Sequence, residues 1–210
     1  MRVPVLKLDG GVAGEITLDD DFFGAEFRTE SLSEVVRWQL AQRQAGTHSS
    51  KCRSDISRTT RKMYKQKGTG NARHGARTAN LFVGGGISFG PVPRSHSFKI
   101  NKKVRRLAIR GLLSQKQKEG NLIICDGVSL GEAKTKSLLG CLANIGLAES
   151  SSALFVFDGE QSGVFKMACA NVRGVDIIPA IGLNVYAGLQ HEKLVLTKSA
   201  VESLQKRLLG

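Results

Sequence analysis

The stretch from Thr47 to Asn80 places the strongest limit on how this chain can fold. Its 34 residues contain only two strongly apolar side chains, Ile56 and Met63, and nine lysines and arginines. A segment of this composition buries too little apolar surface to offset the entropy that it loses on ordering. We therefore expect it to lie outside any hydrophobic core and to be flexible when the chain is alone.

The positive charge of the chain is confined to one part of the sequence. Seventeen lysines and arginines and a single acid, Asp55, lie between Arg43 and Arg110, whereas the whole 210-residue chain has a net charge of +13. The remaining residues are therefore net acidic. A localised positive excess of this size needs a polyanion opposite it, and RNA or DNA is the obvious candidate.

The two ends of the chain have the pattern of an α/β domain. Short apolar runs such as Leu122–Cys125 and Ala153–Phe157 alternate with segments of helical periodicity. Parallel strands have such continuous apolar runs because helices cover both faces of their sheet. We predict a three-layer α/β domain with a mostly parallel sheet, formed by residues 1–46 and 99–210. A long, basic, irregular loop, residues 47–98, interrupts this domain, and loops of that length are usually functional or disordered.

Local signals place the first elements. The runs Val3–Leu8 and Glu15–Leu18 predict two strands joined by a glycine-containing turn. Ser31 and Glu34 have the spacing of a capping box, which predicts the start of a helix that ends near Gly46.

Another helix is predicted to begin at Asn101, a good capping residue, and to be closed by Gly120. Val104 and Leu107 are expected to face the core, which leaves the basic residues of the first turns at the surface. Because a helix N-terminus carries a partial positive charge, this end of the helix favours phosphate.

Signatures of enzymes, metals and cofactors are missing. Gly68 and Gly70 are followed by Arg73 where a dinucleotide fingerprint needs glycine, and no Walker motif occurs. The four cysteines are too far apart for a metal knuckle or a redox pair, so we expect reduced thiols. The four histidines have neither metal spacing nor an obvious acid partner. We expect no catalytic activity, no metal and no cofactor.

The hydropathy of the chain argues against a membrane protein. No run approaches the roughly eighteen apolar residues that a membrane span requires. The N-terminal residues Met1–Pro4 do not begin a signal peptide. We expect a soluble, intracellular protein.

The motifs of the basic segment resemble those of a known family. They are Gln66–Gly70, Gly84–Gly86 with Phe89–Pro91, and Asn101–Lys103 with Arg105–Ala108. In order and spacing they resemble the bacterial large-subunit ribosomal protein L-four family, and the resemblance covers nearly the whole chain.

This resemblance implies a structural, non-catalytic constituent of the large ribosomal subunit, located in the cytoplasm. The body would bind large-subunit rRNA, and the loop would help line the nascent-peptide exit tunnel beside another ribosomal protein. The nascent peptide would then be a further partner. The family's tunnel tip and its macrolide-sensitivity positions would fall on one segment, which comprises Tyr64, Lys65, Gln66, Lys67, Gly68, Thr69 and Gly70.

Charge and resemblance together define the candidate rRNA-binding residues. They are lysines and arginines of the loop and of the helix that follows it. The set is Lys51, Arg53, Arg58, Arg61, Lys62, Lys65, Lys67, Arg73, Arg77, Arg94, Lys99, Lys102, Lys103, Arg105 and Arg106.

Two other classes of protein fit part of the evidence. The composition alone would suit a non-ribosomal RNA-binding protein or RNA chaperone equally well. A nucleotide-dependent α/β enzyme would share the fold, but the absence of phosphate-loop motifs counts against it.

Overall fold

The computed structural model describes residues 1–128, 130–147, 152–158 and 163–209. Residue contacts divide the chain into two compact units. We name the first, Met1–Leu40 with Lys99–Gly210, the body, and the second, Ala41–Phe98, the extension.

The regular elements come almost entirely from the two ends of the chain. The strands are β1 (Arg2–Leu6), β2 (Val12–Thr17), β3 (Leu122–Cys125), β4 (Ala153–Phe157), β5 (Val175–Pro179) and β6 (Lys193–Thr197). The α-helices of the described residues are α1 (Asp20–Phe23), α2 (Thr29–Arg43), α3 (Lys102–Lys118), α4 (Thr135–Asn144), α5 (Gly163–Cys169), α6 (Val185–Gln190) and α7 (Lys198–Leu209). A 3₁₀ turn, Ala180–Gly182, precedes α6.

The six strands form one sheet in the order β2-β1-β3-β6-β4-β5. Strands β1 and β2 pair antiparallel, and every other pairing is parallel. The predicted mostly parallel sheet is therefore confirmed.

Both faces of this sheet are covered by helices. On β4, Leu154 and Val156 belong to a core shared with α1, α2, α3 and α7, whereas Ala153 and Phe155 belong to a core shared with α4 and α5. Successive strand residues point to opposite faces, which explains why β4 is apolar throughout. This arrangement confirms the three-layer α/β domain.

Helix α3 begins as predicted, but its buried face differs from the prediction. The side chain of Asn101 accepts a hydrogen bond from the Lys103 N–H at 3.2 Å, which confirms the cap. Leu107 was wrongly expected in the core, because its side chain is 38% exposed while Ile109 and Leu112 are buried. At 3.6 residues per turn the buried face is centred near Ile109 and Leu112, so Leu107 lies opposite it and Arg105 lies on it.

The predicted capping box of α2 is wrong. The helix begins at Thr29, and the Leu32 N–H already bonds to the Arg28 carbonyl at 3.3 Å. Ser31 therefore lies inside the first turn rather than at its cap. The helix ends at Arg43, three residues before the predicted Gly46.

The extension has no strand, and beyond the last turn of α2 it has no helix. Backbone hydrogen bonds join its two legs, from Arg94 N to Gly46 O at 3.1 Å and from Ser50 N to Pro91 O at 2.9 Å. Nearer the tip, Met63 N donates to Gly75 O at 3.0 Å. The predicted irregular loop is confirmed, and it is a hairpin held by isolated bonds rather than by a ladder.

None of the helices in the described part of the chain has the length and apolar composition of a membrane span.

Candidate nucleic-acid interface

The fifteen candidate cations fall into two groups. Ten lie on the extension and all ten are exposed, namely Lys51, Arg53, Arg58, Arg61, Lys62, Lys65, Lys67, Arg73, Arg77 and Arg94. Five lie on the body, where Lys99, Lys102 and Lys103 are exposed and Arg105 and Arg106 are half-buried.

None of these cations pairs with a carboxylate in the described part of the chain. The four ion pairs found there involve the N-terminus, Arg28, Lys134 and His191 instead. Asp55, the only acid of the basic segment, accepts the Cys52 N–H at 2.9 Å and so stabilises a turn. The positive charge of the ten candidate cations is therefore left for a polyanion from outside.

The tip of the extension combines charge with open backbone. Gly68 and Gly70 have positive φ values of 81° and 68°, and no atom lies within 4 Å of where a Cβ would stand on either. Positive φ favours glycine over residues with a side chain. The bare backbone also leaves room for a ligand to approach closely.

Three aromatic rings lie in contact next to the tip of the extension. The ring of His74 meets Tyr64 edge-on at 6.2 Å between centroids and Phe82 at 5.1 Å. The Tyr64 hydroxyl donates to the Ala72 carbonyl. The half-buried Tyr64 therefore contacts its own chain and braces the tip.

Apolar side chains of the extension are a feature that charge-based reasoning missed. Val83 and Phe89 are fully exposed, and Leu81, Ile87 and Val92 are also exposed. Phe89 has a φ of 55°, which is uncommon for a residue with a side chain. The signal available in the sequence was that these apolar residues flank Gly84–Gly86 and the prolines, where regular structure and a hydrophobic core are not expected.

Three of the five candidate cations of the body, but not Lys99 or Lys103, line a cavity of about 340 Å³. Lys102, Arg105 and Arg106 line it from α3, and Arg207 lines it from α7. The Arg105 guanidinium lies 5.0 Å from the centre of the Trp38 ring. Sequence reasoning missed Trp38 and Arg207, because only packing brings α2 and α7 beside the start of α3.

Two hydrogen bonds hold Arg207 in this cavity. Its Nη1 donates to the carbonyls of Ala180 at 3.0 Å and Leu183 at 3.1 Å. Burial and the nearby positive charge of Arg105 lower the pKa of Arg207.

One histidine has a partner that the sequence did not reveal. The Nε2 of the buried His191 lies 2.9 Å from Asp176 Oδ2, contrary to the prediction that no histidine has an acid partner. The two residues are 15 positions apart, with Asp176 on β5 and His191 directly after α6. Among the described residues no group of three His, Cys, Asp or Glu is placed to hold a metal ion.

The buried cysteines are small core residues. Desolvation raises the pKa of Cys125 to about 11 and that of Cys169 to about 12. Since the thiolate is the reactive form, both thiols are unreactive in the folded chain.

Comparison with known proteins identifies the family. The family model described as "Ribosomal protein L4/L1 family" matches residues 16–207. The chain belongs to this family. It is 49% identical over 207 residues to the large ribosomal subunit protein uL4 of Afipia carboxidovorans, covering 99% of each chain. It is 50% identical over 208 residues to the uL4 protein of Caulobacter vibrioides, covering 99% of this chain and 97% of the relative.

The family resemblance seen in the motifs is therefore confirmed. Proteins of this family are structural and non-enzymatic. The expectation that the chain is not an enzyme is therefore confirmed by its membership of this family.

Proposed function

We propose that this chain is a structural constituent of the large ribosomal subunit, that it binds large-subunit rRNA, and that the tip of the extension helps line the nascent-peptide exit tunnel. As members of a bacterial ribosomal family, such chains are located in the cytoplasm with the ribosome. Large-subunit rRNA, neighbouring ribosomal proteins and the nascent peptide are its proposed partners.

The observation that supports rRNA binding best is the charge of the ten candidate cations of the extension. Ten exposed cations lie there, and no carboxylate among the described residues pairs with them. Each phosphate that a cation neutralises releases counterions, which drives binding entropically. This gain offsets the cost of ordering an extension that lacks its own hydrophobic core.

The proposed position in the tunnel is supported by the tip. Lys65 and Lys67 are exposed beside Gly68 and Gly70, whose backbone is open. The open backbone at these two glycines allows RNA or a passing peptide to approach closely. The exposed Val83 and Phe89 provide apolar surface for a base or for a neighbouring ribosomal protein.

Sedimentation of a lysate through a high-salt sucrose gradient tests the ribosomal assignment. We expect this chain to remain with the large subunit at one copy per particle, because contacts made deep in the particle resist salt. Release into the light fractions would contradict the proposal. That result would favour the alternative, a non-ribosomal RNA-binding protein or RNA chaperone.

Substitution at the tip tests the tunnel assignment separately. Lys67→Glu reverses a charge at the proposed tunnel wall, and Lys118→Glu makes the same change at the exposed end of α3 as a control. We expect both variants to fold and only Lys67→Glu to alter subunit assembly or macrolide sensitivity. Wild-type assembly and drug response in the Lys67→Glu strain would refute the placement.

A further inference from the structure

The cavity of the body has the features of a nucleotide site. We propose that it binds one phosphate-bearing unit of a single RNA strand, with the phosphate on Arg105 and Arg207 and the attached sugar or base against its apolar wall. The inference rests on the proposed function, since it assigns the body its own point of contact with RNA.

The first argument is the arrangement of two like charges. Arg105 lies on the buried face of α3 and Arg207 reaches the same cavity from α7. Two partly buried guanidinium groups raise each other's energy unless an anion lies near both. Arg207 is held in the cavity by its hydrogen bonds to two carbonyls.

The second argument is that the protein supplies no anion. The described residues that line the cavity include no Asp or Glu, and Lys102 and Arg106 add two more cations. The neutral polar residues are already engaged, since Gln39 accepts the Tyr186 N–H and Asn184 accepts the Ala187 N–H. The lining itself therefore supplies no negative charge, and a bound anion would provide it.

Unused hydrogen-bond donors are the third argument. Arg105 Nε and Trp38 Nε1 are buried and have no hydrogen-bond partner among the described residues. A buried donor without an acceptor is costly, and phosphate oxygens accept strongly from guanidinium groups.

The size and lining of the cavity indicate more than a bare phosphate. A volume of about 340 Å³ falls within the range of small-molecule pockets. The lining also includes the apolar residues Val35, Ile109, Leu183, Val185 and Leu208. The Trp38 ring, partly covered by Arg105, adds to this apolar lining. A sugar or an unpaired base fits such a surface, which is how single-stranded RNA is commonly held.

The cavity contains its own reporter. Trp38 is the only tryptophan of the chain, so its fluorescence reports on this site and on no other. The full-length protein is titrated with a 5′-phosphorylated uridine tetranucleotide, with inorganic phosphate and with uridine. We expect the tetranucleotide to cause a saturable change in Trp38 fluorescence, and the other two probes to cause weaker changes.

Matched substitutions separate the cavity from general charge. Arg105→Gln removes a cavity cation, and Lys118→Gln removes an exposed cation of the same helix. Arg207→Gln and the adjacent Lys206→Gln form a second pair on α7. We expect the cavity variants to bind roughly tenfold more weakly, because charge-assisted contacts are strong. The plot of the logarithm of the binding constant against the logarithm of the salt concentration should become less steep by about 0.7 for each phosphate contact removed.

Arg105→Lys is the control that distinguishes a loss of binding from a loss of the fold. It keeps the charge and the helix, so we expect it to recover part of the affinity that Arg105→Gln loses. Thermal melting of every variant identifies any that is unfolded. Such a variant is replaced by the lysine form in the comparison.

Three outcomes would overturn the proposal. In the first, Arg105→Gln and Lys118→Gln bind the tetranucleotide equally well. In the second, inorganic phosphate alone saturates the Trp38 change with the same affinity, which would make the ligand a small anion. In the third, Trp38 does not respond to any probe.

These outcomes are independent of the proposed function. A chain retained on the large subunit, with a cavity that does not respond, would refute only this inference. A chain released at high salt, with a cavity that binds as described, would refute only the ribosomal assignment.

Discussion

Gly86 holds the two legs of the extension together, and Gly86→Ala should separate them. A Cβ on this residue would lie 2.3 Å from the Arg53 backbone nitrogen and 2.6 Å from its Cα. Ordinary contacts of a Cβ begin at 3.4 Å. The obstacle is backbone, which cannot rotate away as a side chain would, so the legs must move apart by about 1 Å.

The cost of this movement follows from the hydrogen bonds beside it. Gly86 N donates to Thr78 O at 2.9 Å, and Ile87 N donates to Lys51 O at 2.9 Å. Thr78 and Gly86 lie on the same leg, so separating the legs by about 1 Å stretches only the bond between Ile87 and Lys51 beyond hydrogen-bonding distance. At about 1 kcal/mol for one bond the local structure would lose about 1 kcal/mol, equivalent to about fivefold in an equilibrium constant.

Amide hydrogen exchange of the chain bound to large-subunit rRNA, where we expect the extension to be ordered, measures this loss directly. We expect the Ile87 amide to exchange about fivefold faster in Gly86→Ala than in wild type, because local opening costs less. Gly75→Ala is the matched control, since no atom lies within 4 Å of its Cβ position. Both substitutions restrict the unfolded chain equally, so that effect cancels.

The same comparison predicts the effect on RNA binding. If the extension binds rRNA in this conformation, Gly86→Ala should weaken binding relative to Gly75→Ala by a similar factor. Equal exchange rates in the two variants would refute the reasoning, because they would mean that the legs are not in contact in the complex.

Three further predictions concern the body. Leu113→Ala removes a side chain that is 0% exposed and should lower the free energy of unfolding by about 2–5 kcal/mol in urea; a loss below 1 kcal/mol would contradict the packing described. Asn101→Ala removes the cap of α3 and should cost about 1 kcal/mol by the same assay, so an unchanged midpoint would argue against the cap. Burial raises the pKa of Cys125 from 9.0 to about 11, so its thiol contributes stability that is complete below pH 9.0 and is lost as the pH rises through about 11. The stability difference between wild type and Cys125→Ala should therefore shrink across that window, and a constant difference would contradict the assignment.

Much of this protein could be predicted from its sequence because the deciding interactions are local. Continuous apolar runs such as Leu122–Cys125 identify strands covered on both faces, and Asn101 identifies the start of α3. The extension was evident because Thr47 to Asn80 lacks the apolar side chains of a core. The candidate cations were likewise visible as charge.

Other predictions failed where a local motif competed with packing. The spacing of Ser31 and Glu34 suits a cap, but the backbone bonds of α2 begin at Arg28. Leu107 is apolar, yet the buried face of α3 is set by the helices and strands packed against Ile109 and Leu112. An apolar residue on the far side of a helix stays exposed whatever its chemistry.

Charge confinement, the parallel sheet and the irregular extension are thus determined by the sequence itself, since composition and periodicity act over a few residues. The tertiary structure alone decides which distant groups meet. Trp38, Arg105 and Arg207 come from three helices, and their shared cavity exists only because α2, α3 and α7 pack on one face of the sheet. Long-range contacts of this kind depend on the combined packing of every element between them, and no local pattern of residues encodes that.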